Sequence, residues 1–109
     1  MAYFDVNPTS STGVEIAAAS SGNRARWIAL GFSNDGSTTV TLLIYDGTAA
    51  AGTVRCRLRI DPGSGAYDYI DQAGKSIFPK MWWTAGSAIE CALSAAGSVR
   101  VWGEVVREA

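Results

Sequence analysis

The segment Thr53–Ile60 alternates between apolar and polar side chains at every position. Its apolar face holds four residues: Val54, Cys56, Leu58 and Ile60. Its polar face holds Thr53 and three arginines: Arg55, Arg57 and Arg59. Successive side chains of a strand point to opposite faces, whereas a helix repeats every 3.6 residues. The period of two therefore predicts a β-strand with one face in a core and a row of arginines on the other.

The rest of the chain is typical of short strands separated by turns. No helical periodicity extends over even ten residues, and turn-forming residues recur about every 8–12 residues, as in sandwiches. Besides 53–60, the predicted strands are 13–19, 24–33, 38–45, 66–70, 88–93 and 99–107. The sequence therefore predicts an all-β protein, a single antiparallel β-sandwich that is jelly-roll-like and has seven or eight short strands.

Two short segments predict hairpin turns. The segment Asn34-Asp35-Gly36-Ser37 has Asp-Gly at its centre, the pair that favours a tight turn between neighbouring strands. The segment Ala95–Ser98 joins the last two predicted strands. We therefore expect one hairpin at 34–37 and another that closes the domain.

Length and composition favour one domain with a subunit contact. The 109 residues suffice for one domain, in which 1–12 is expected to be an N-terminal arm or extended lead-in and 13–109 the sandwich. The net charge of −1 argues against a nucleic-acid binder. A content of 48% hydrophobic and 17% charged residues is apolar for a small monomer, so part of the apolar surface is expected to meet another subunit.

The chain lacks the side chains of common catalytic and metal sites. There is no histidine, which excludes Ser-His-Asp and Cys-His catalysis and histidine-ligated metals. Cys56 and Cys91 are too few for a Cys₄ site, and we expect them to be buried thiols, with a bridge as the alternative. The acids of 61–71 lack the spacing of a calcium loop. We predict a protein that is not an enzyme, with no cofactor and no metal.

The N-terminal residues carry neither a basic nor an apolar segment of the kind that directs secretion. No apolar run approaches the roughly 18 residues of a transmembrane helix. We therefore expect a protein that is made and used without export and without a membrane partner.

The arginines and a cluster of aromatic residues are the candidate binding groups. Arg55, Arg57 and Arg59 either lie on a solvated face or contact a partner, because three like charges on one strand repel unless they are paired. Carboxylates of this chain could pair with them: Glu15, Glu90 or Glu104. Trp82 and Trp83 either close one end of the core or lie exposed, as a stacking platform for sugar or as a contact with a second subunit.

The last third of the chain contains a series of motifs: Pro79, Trp82-Trp83-Thr84, Gly86-Ser87-Ala88-Ile89, the stretch Leu93–Val99, Val101 and Gly103-Glu104-Val105. They follow the order of an aromatic loop, a strand, a turn and a closing strand. In this order they resemble small β-sandwich structural proteins of tailed bacteriophages, namely capsid decoration, head-fibre and tail-associated proteins. The resemblance extends over about residues 13–106 and implies a jelly-roll-like fold, trimeric assembly in many members and no catalysis.

Two functions are therefore expected. The first is a virion structural protein, a capsid decoration or head/tail accessory protein that binds other virion proteins as a homotrimer. Its contacts would include Arg55, Arg57, Arg59, Trp82 and Trp83, and its location would be the virion. The alternative is a carbohydrate-binding module in which Trp82 or Trp83 stacks on a sugar.

Overall fold

The computed structural model describes residues 2–18, 24–49, 52–69, 82–83 and 88–108. These residues form nine strands: β1 (Ala2–Val6), β2 (Val14–Ala17), β3 (Arg24–Asn34), β4 (Val40–Asp46), β5 (Thr53–Ile60), β6 (Gly65–Tyr69), β7 (Trp82–Trp83), β8 (Ile89–Leu93) and β9 (Val99–Glu108). The described part of the chain contains no helix, and hence none that could cross a bilayer. The predicted all-β fold is confirmed.

The strands form two antiparallel sheets packed face to face. The first sheet has the order β1-β9-β3-β6, and the two-residue β7 also pairs with β3, beyond the end of β6. The second has the order β2-β8-β4-β5. Setting β7 aside, consecutive strands lie in opposite sheets except β4 and β5, which pair within the second sheet, and the two strand orders are those of a jelly roll. The predicted β-sandwich of jelly-roll type is therefore confirmed, with nine described strands in place of seven or eight.

Both predicted hairpins are wrong. The segment 34–37 leads from β3 in the first sheet to β4 in the second, and 94–98 leads from β8 in the second sheet to β9 in the first. The buried Asn34 side chain explains the first arch, because its amide donates to the carbonyl oxygens of Thr38 and Ile60 at 2.8 and 2.9 Å. Its side-chain oxygen accepts from Gly36 N–H at 3.0 Å. The turn is present, but it spans the two sheets.

The N-terminal segment belongs to the sandwich. The expected arm at 1–12 contains β1, which pairs with β9 from Ala2↔Val105 to Val6↔Val101. On the inner side of β1, the Phe4 ring packs edge-on against the buried Trp27 with ring centroids 5.5 Å apart. Beyond β1, the carbonyl oxygens of Pro8, Thr9 and Ser10 accept hydrogen bonds from backbone N–H groups of 93–99. These contacts make residues 2–10 an integral edge of the fold.

The core lies between the two sheets and follows the predicted alternation. The inward residues of β4, β8 and β9 are buried: Val40, Leu42, Ile44, Ile89, Cys91, Leu93, Val99, Val101 and Val105. In β3 the register shifts between Trp27 and Ala29, so Trp27 and Leu30 both lie in the core, although strict alternation would put positions 27 and 30 on opposite faces. This bulge buries the indole, the largest buried side chain among the described residues.

The two cysteines are free thiols. Cys91 and Cys56 both pair with Ile44, one from each side, so β4 separates their strands. Two inter-strand spacings of about 4.8 Å exceed the Cα separation of roughly 7 Å that a disulfide tolerates. Burial, followed by the charge of Glu90, raises the pKa of Cys91 to about 12. The predicted buried thiols are confirmed for Cys91, whereas Cys56 is half-buried at the sheet edge.

The register of β4 and β5 gives a stability prediction. Leu42 and Leu58 face each other across these strands, but Leu42 is fully buried and Leu58 is only partly buried. A leucine-to-alanine change leaves a cavity, and its cost grows with the burial of the leucine. We therefore expect the free energy of unfolding to fall by about 3–5 kcal/mol in Leu42→Ala and by about 2 kcal/mol in Leu58→Ala. Chemical denaturation of both variants measures this difference. Equal losses in the free energy of unfolding would contradict the partial burial of Leu58 on the edge strand β5.

Candidate functional site

Among the described strands, the arginine strand β5 is the outer edge of the second sheet and pairs only with β4. Its alternation is broken by a bulge, because Ile44 pairs with Cys56 whereas the next residue, Tyr45, pairs with Val54. Arg55 is thus left without a partner in the register. Since directly paired residues share a face, Val54 lies on the outer face with Tyr45, and only Cys56, Leu58 and Ile60 face inward.

The bulge directs Arg55 to Asp46. The Arg55 Nε and Nη2 atoms donate to Asp46 Oδ2 at 3.3 and 3.1 Å. The Asp46 side chain is only 3% exposed, whereas that of Arg55 is 46% exposed. A buried carboxylate needs such a partner, because an unpaired charge in the interior is strongly destabilising. One of the three candidate contact residues is therefore bound within the chain.

Arg57 and Arg59 remain on the exposed outer face of the second sheet. Their partners across the strand pair are Leu43 and Thr41, so neither arginine meets a carboxylate there. The residues expected to pair with them lie elsewhere: Glu15 and Glu90 face each other on β2 and β8, and Glu104 is in the other sheet. Within the described part of the chain, only Arg55 of the three arginines forms a salt bridge.

The candidate residues Trp82 and Trp83 form β7, which pairs with Arg26 and Ala25 of β3. The strand lies at the edge of the first sheet. The structure describes the strand at Trp82 and Trp83 but not the orientations of their rings. Phe78, Pro79 and Met81 lie outside the described residues.

The sequence did not single out a second surface, which we call the outer groove. It is a shallow depression of about 370 Å³ on the outer face of the first sheet, lined by residues of β1, β6 and β9. Tyr3 and Tyr67, the exposed large hydrophobic residues among those described, both line it. Exposed aromatic residues that cluster in one depression indicate a binding surface.

A glycine makes room for the aromatic floor of the outer groove. On three neighbouring strands, Tyr67, Gly31 and Trp102 lie in register. A Cβ atom at Gly31 would overlap the Trp102 indole, so the ring occupies the space that a side chain there would need. The Tyr67 and Trp102 rings are nearly parallel, with an interplanar angle of 6° and centroids 6.2 Å apart. A small residue between two large ones therefore places both rings on the sheet.

An ion pair forms one wall of the outer groove. The Arg100 Nε and Nη2 atoms donate to Asp5 Oδ1 and Oδ2 at 3.0 and 2.8 Å. The Arg100 guanidinium carbon also lies 4.8 Å from the centroid of the Trp102 ring, within the range of a cation–π contact. These contacts fix the guanidinium in one position. The hydrogen bond from Arg100 lowers the pKa of Asp5, and the same bond raises the pKa of Arg100.

The sequence carried a partial signal for this surface. Arg100 and Trp102 fall on the face of the last strand that the alternation turns away from the core. Their partners come from segments far away along the chain, Asp5 and Tyr3 from β1 and Tyr67 from β6. Only the strand order brings these three segments side by side, so a pattern along one strand cannot reveal the groove.

The comparisons with known proteins assign no family. A scan against protein-family models and a search of the curated proteins both find no match. The resemblance to phage structural proteins therefore stays a prediction. Among the described residues, no group of three or more Cys, Asp or Glu side chains is placed to hold a metal ion.

The ion pair in the outer groove gives a prediction of pH dependence. Because Arg100 favours the charged form of Asp5, we expect the Asp5 carboxyl to titrate below its ordinary pKa of 3.8. A depressed pKa in the folded state contributes stability above the pKa of the unfolded chain, and this contribution is lost as the pH falls through the folded value. NMR titration of Asp5 measures the shift. In Arg100→Gln the midpoint should rise towards 3.8, and an unchanged midpoint would contradict the pairing.

Proposed function

We propose that this chain is a non-catalytic virion structural protein that binds other virion proteins, as a capsid decoration or head/tail accessory protein that stabilises the particle. The resemblance of residues 13–106 to such proteins supports the class of function. The structural observation that carries the proposal is the charge distribution on the outer face of the second sheet, which is basic along β5 and acidic along β2 and β8.

The two charged borders of this face have no counterions on it within the described chain. Arg57 and Arg59 lie on the β5 border. Glu15 and Glu90 face each other on β2 and β8, where like charges directly opposite are unfavourable. Glu90 accepts a hydrogen bond from Ala49 N–H at 2.9 Å, and neither glutamate forms a salt bridge within the described residues.

A second copy of the chain supplies the missing counterions. β5 lies three inter-strand spacings from β2, roughly 14 Å, and two from β8, and neither Arg57 nor Arg59 forms a salt bridge with a glutamate across the sheet in the described residues. The basic border of one copy can instead meet the acidic border of the next. Leu43, which pairs with Arg57 and lies between the two borders, would lie within the contact. Such a head-to-tail contact closes into a ring, and the resemblance supplies the expected number of three subunits.

Charge reversal tests this assembly. We expect the wild-type chain to sediment as a trimer, and both Arg57→Glu and Glu15→Arg to dissociate because each places like charges together. The combined variant Arg57→Glu/Glu15→Arg should assemble again, since the attraction is restored with the signs exchanged. Sedimentation equilibrium gives the masses. A wild-type chain that sediments as a monomer at high concentration would contradict the proposed trimer.

The matched control for this experiment is Asp61→Arg. Asp61 is exposed at the end of β5, and its carboxylate accepts a hydrogen bond from Thr39 Oγ1 at 3.0 Å. The variant makes the same change of charge as Glu15→Arg but lies away from the acidic border, so its mass should equal that of the wild type. Dissociation of this control as well would attribute the effect to net charge and contradict a defined contact.

The virion location has a direct test. Mass spectrometry of purified phage particles, released from cells in which the gene for this chain is expressed during infection, should detect the chain at many copies per particle. The control is a parallel preparation from cells that express the gene without infection. Detection only in the soluble fraction would contradict a structural role in the particle.

Carbohydrate binding is a second candidate function. The observation that favours it is the outer groove, where Tyr3, Tyr67 and Trp102 surround a fixed ion pair. Aromatic faces and fixed polar groups are the features that hold a sugar in orientation.

A further inference from the structure

We propose that the outer groove binds the pyranose ring of an uncharged saccharide, with Tyr3 and Tyr67 as the aromatic contacts and the Arg100–Asp5 pair as the hydrogen-bonding group. The proposal rests on carbohydrate binding as the second candidate function. It moves the site from Trp82 and Trp83, which the sequence indicated, to the outer face of β1, β6 and β9.

The shape of the groove suits a small flat ligand. Its volume of about 370 Å³ is at the lower end of the range for ligand sites, roughly 300–1,000 Å³. Tyr3 is 79% exposed and Tyr67 48% exposed, so a ligand in the groove can contact both side chains. The face of a pyranose presents C–H bonds with partial positive charge, and these pack favourably on the negative faces of aromatic rings.

The ion pair provides complementary hydrogen bonds for hydroxyl groups. The Arg100 Nη1 group forms no hydrogen bond within the described chain and can donate to a sugar oxygen. Each Asp5 oxygen accepts one bond from Arg100 and keeps a free lone pair for a sugar hydroxyl. Adjacent hydroxyls of one sugar, which each donate and accept, match a donor and an acceptor that lie side by side.

The same pair disfavours charged ligands. Asp5 already neutralises Arg100 through two hydrogen bonds, so an anion at the groove would be close to the Asp5 carboxylate. A cation would meet the Arg100 guanidinium in the same way. An uncharged polyol satisfies both groups without displacing either, so the ligand is expected to be a neutral saccharide.

The groove is held in place without a ligand. Trp102 occupies the space above Gly31, Arg100 lies against the Trp102 ring, and Asp5 fixes Arg100 from β1. Binding therefore requires little ordering of these side chains, and the loss of conformational entropy on binding is small.

The experiment is a glycan array of neutral and charged saccharides, followed by titration of the best neutral saccharide by isothermal calorimetry. We expect binding to neutral glycans, and a loss of about tenfold or more in affinity for Arg100→Ala and for Tyr67→Ala. Asp61→Ala is the control, because it removes an exposed charged side chain at the end of β5, away from the groove, and its affinity should stay within about twofold of the wild type. Circular dichroism verifies that each variant is folded.

The outcomes separate the site from the function. Neutral-glycan binding that is lost in Trp83→Ala but kept in Arg100→Ala overturns the groove and leaves carbohydrate binding standing. Binding to charged glycans alone, or to protein partners alone through Tyr67 and Arg100, overturns the proposal. A folded wild-type chain that binds no glycan overturns both the groove proposal and carbohydrate binding as the second candidate function. The proposed assembly is tested separately, by sedimentation.

Discussion

The antiparallel pairing of β3 with β9 is the constraint on which the rest of the structure depends. Ten partner positions join them, from Arg24↔Glu108 to Asn34↔Val99. The same two strands carry β1 on one side and β6 and β7 on the other, and their inward residues, among them Trp27, Leu30 and Val101, belong to the core. Since this pair joins the first third of the chain to its end, the sandwich requires the closure of a long loop before its central contacts form.

The two sheets carry different side chains on their outer faces. The face of the first sheet has rings and one fixed ion pair, because Gly31 leaves space over the sheet for Trp102. The face of the second sheet has charges of opposite sign on its two borders and small or apolar residues between them. One face therefore favours a small uncharged ligand, and the other favours a charged protein surface. The proposed assembly and the proposed sugar site do not compete for the same residues.

The sequence predicted the features that depend on alternation along one strand. The bounds of β5, the inward residues of β4, β8 and β9, and the all-β sandwich followed from the period of two. It did not predict the bulge at Arg55, because Asp46 lies on another strand and only the folded pair forces the arginine towards it. The predicted hairpins at 34–37 and 95–98 were wrong for a related reason, since a turn motif does not specify whether the next strand joins the same sheet.

In the proposed assembly, opposite charges on the borders of the second sheet bring copies of this chain together. Exposed charges are screened by salt, with a Debye length of about 10 Å at 0.1 M and about 3 Å at 1 M. Sedimentation velocity of the wild-type chain across this range of ionic strength tests the claim most directly. If opposite charges hold the copies together, the chain is an oligomer at low salt, and its mass falls towards that of the monomer as the salt concentration rises. A monomer at every salt concentration, or an oligomer whose mass is indifferent to salt, would contradict it.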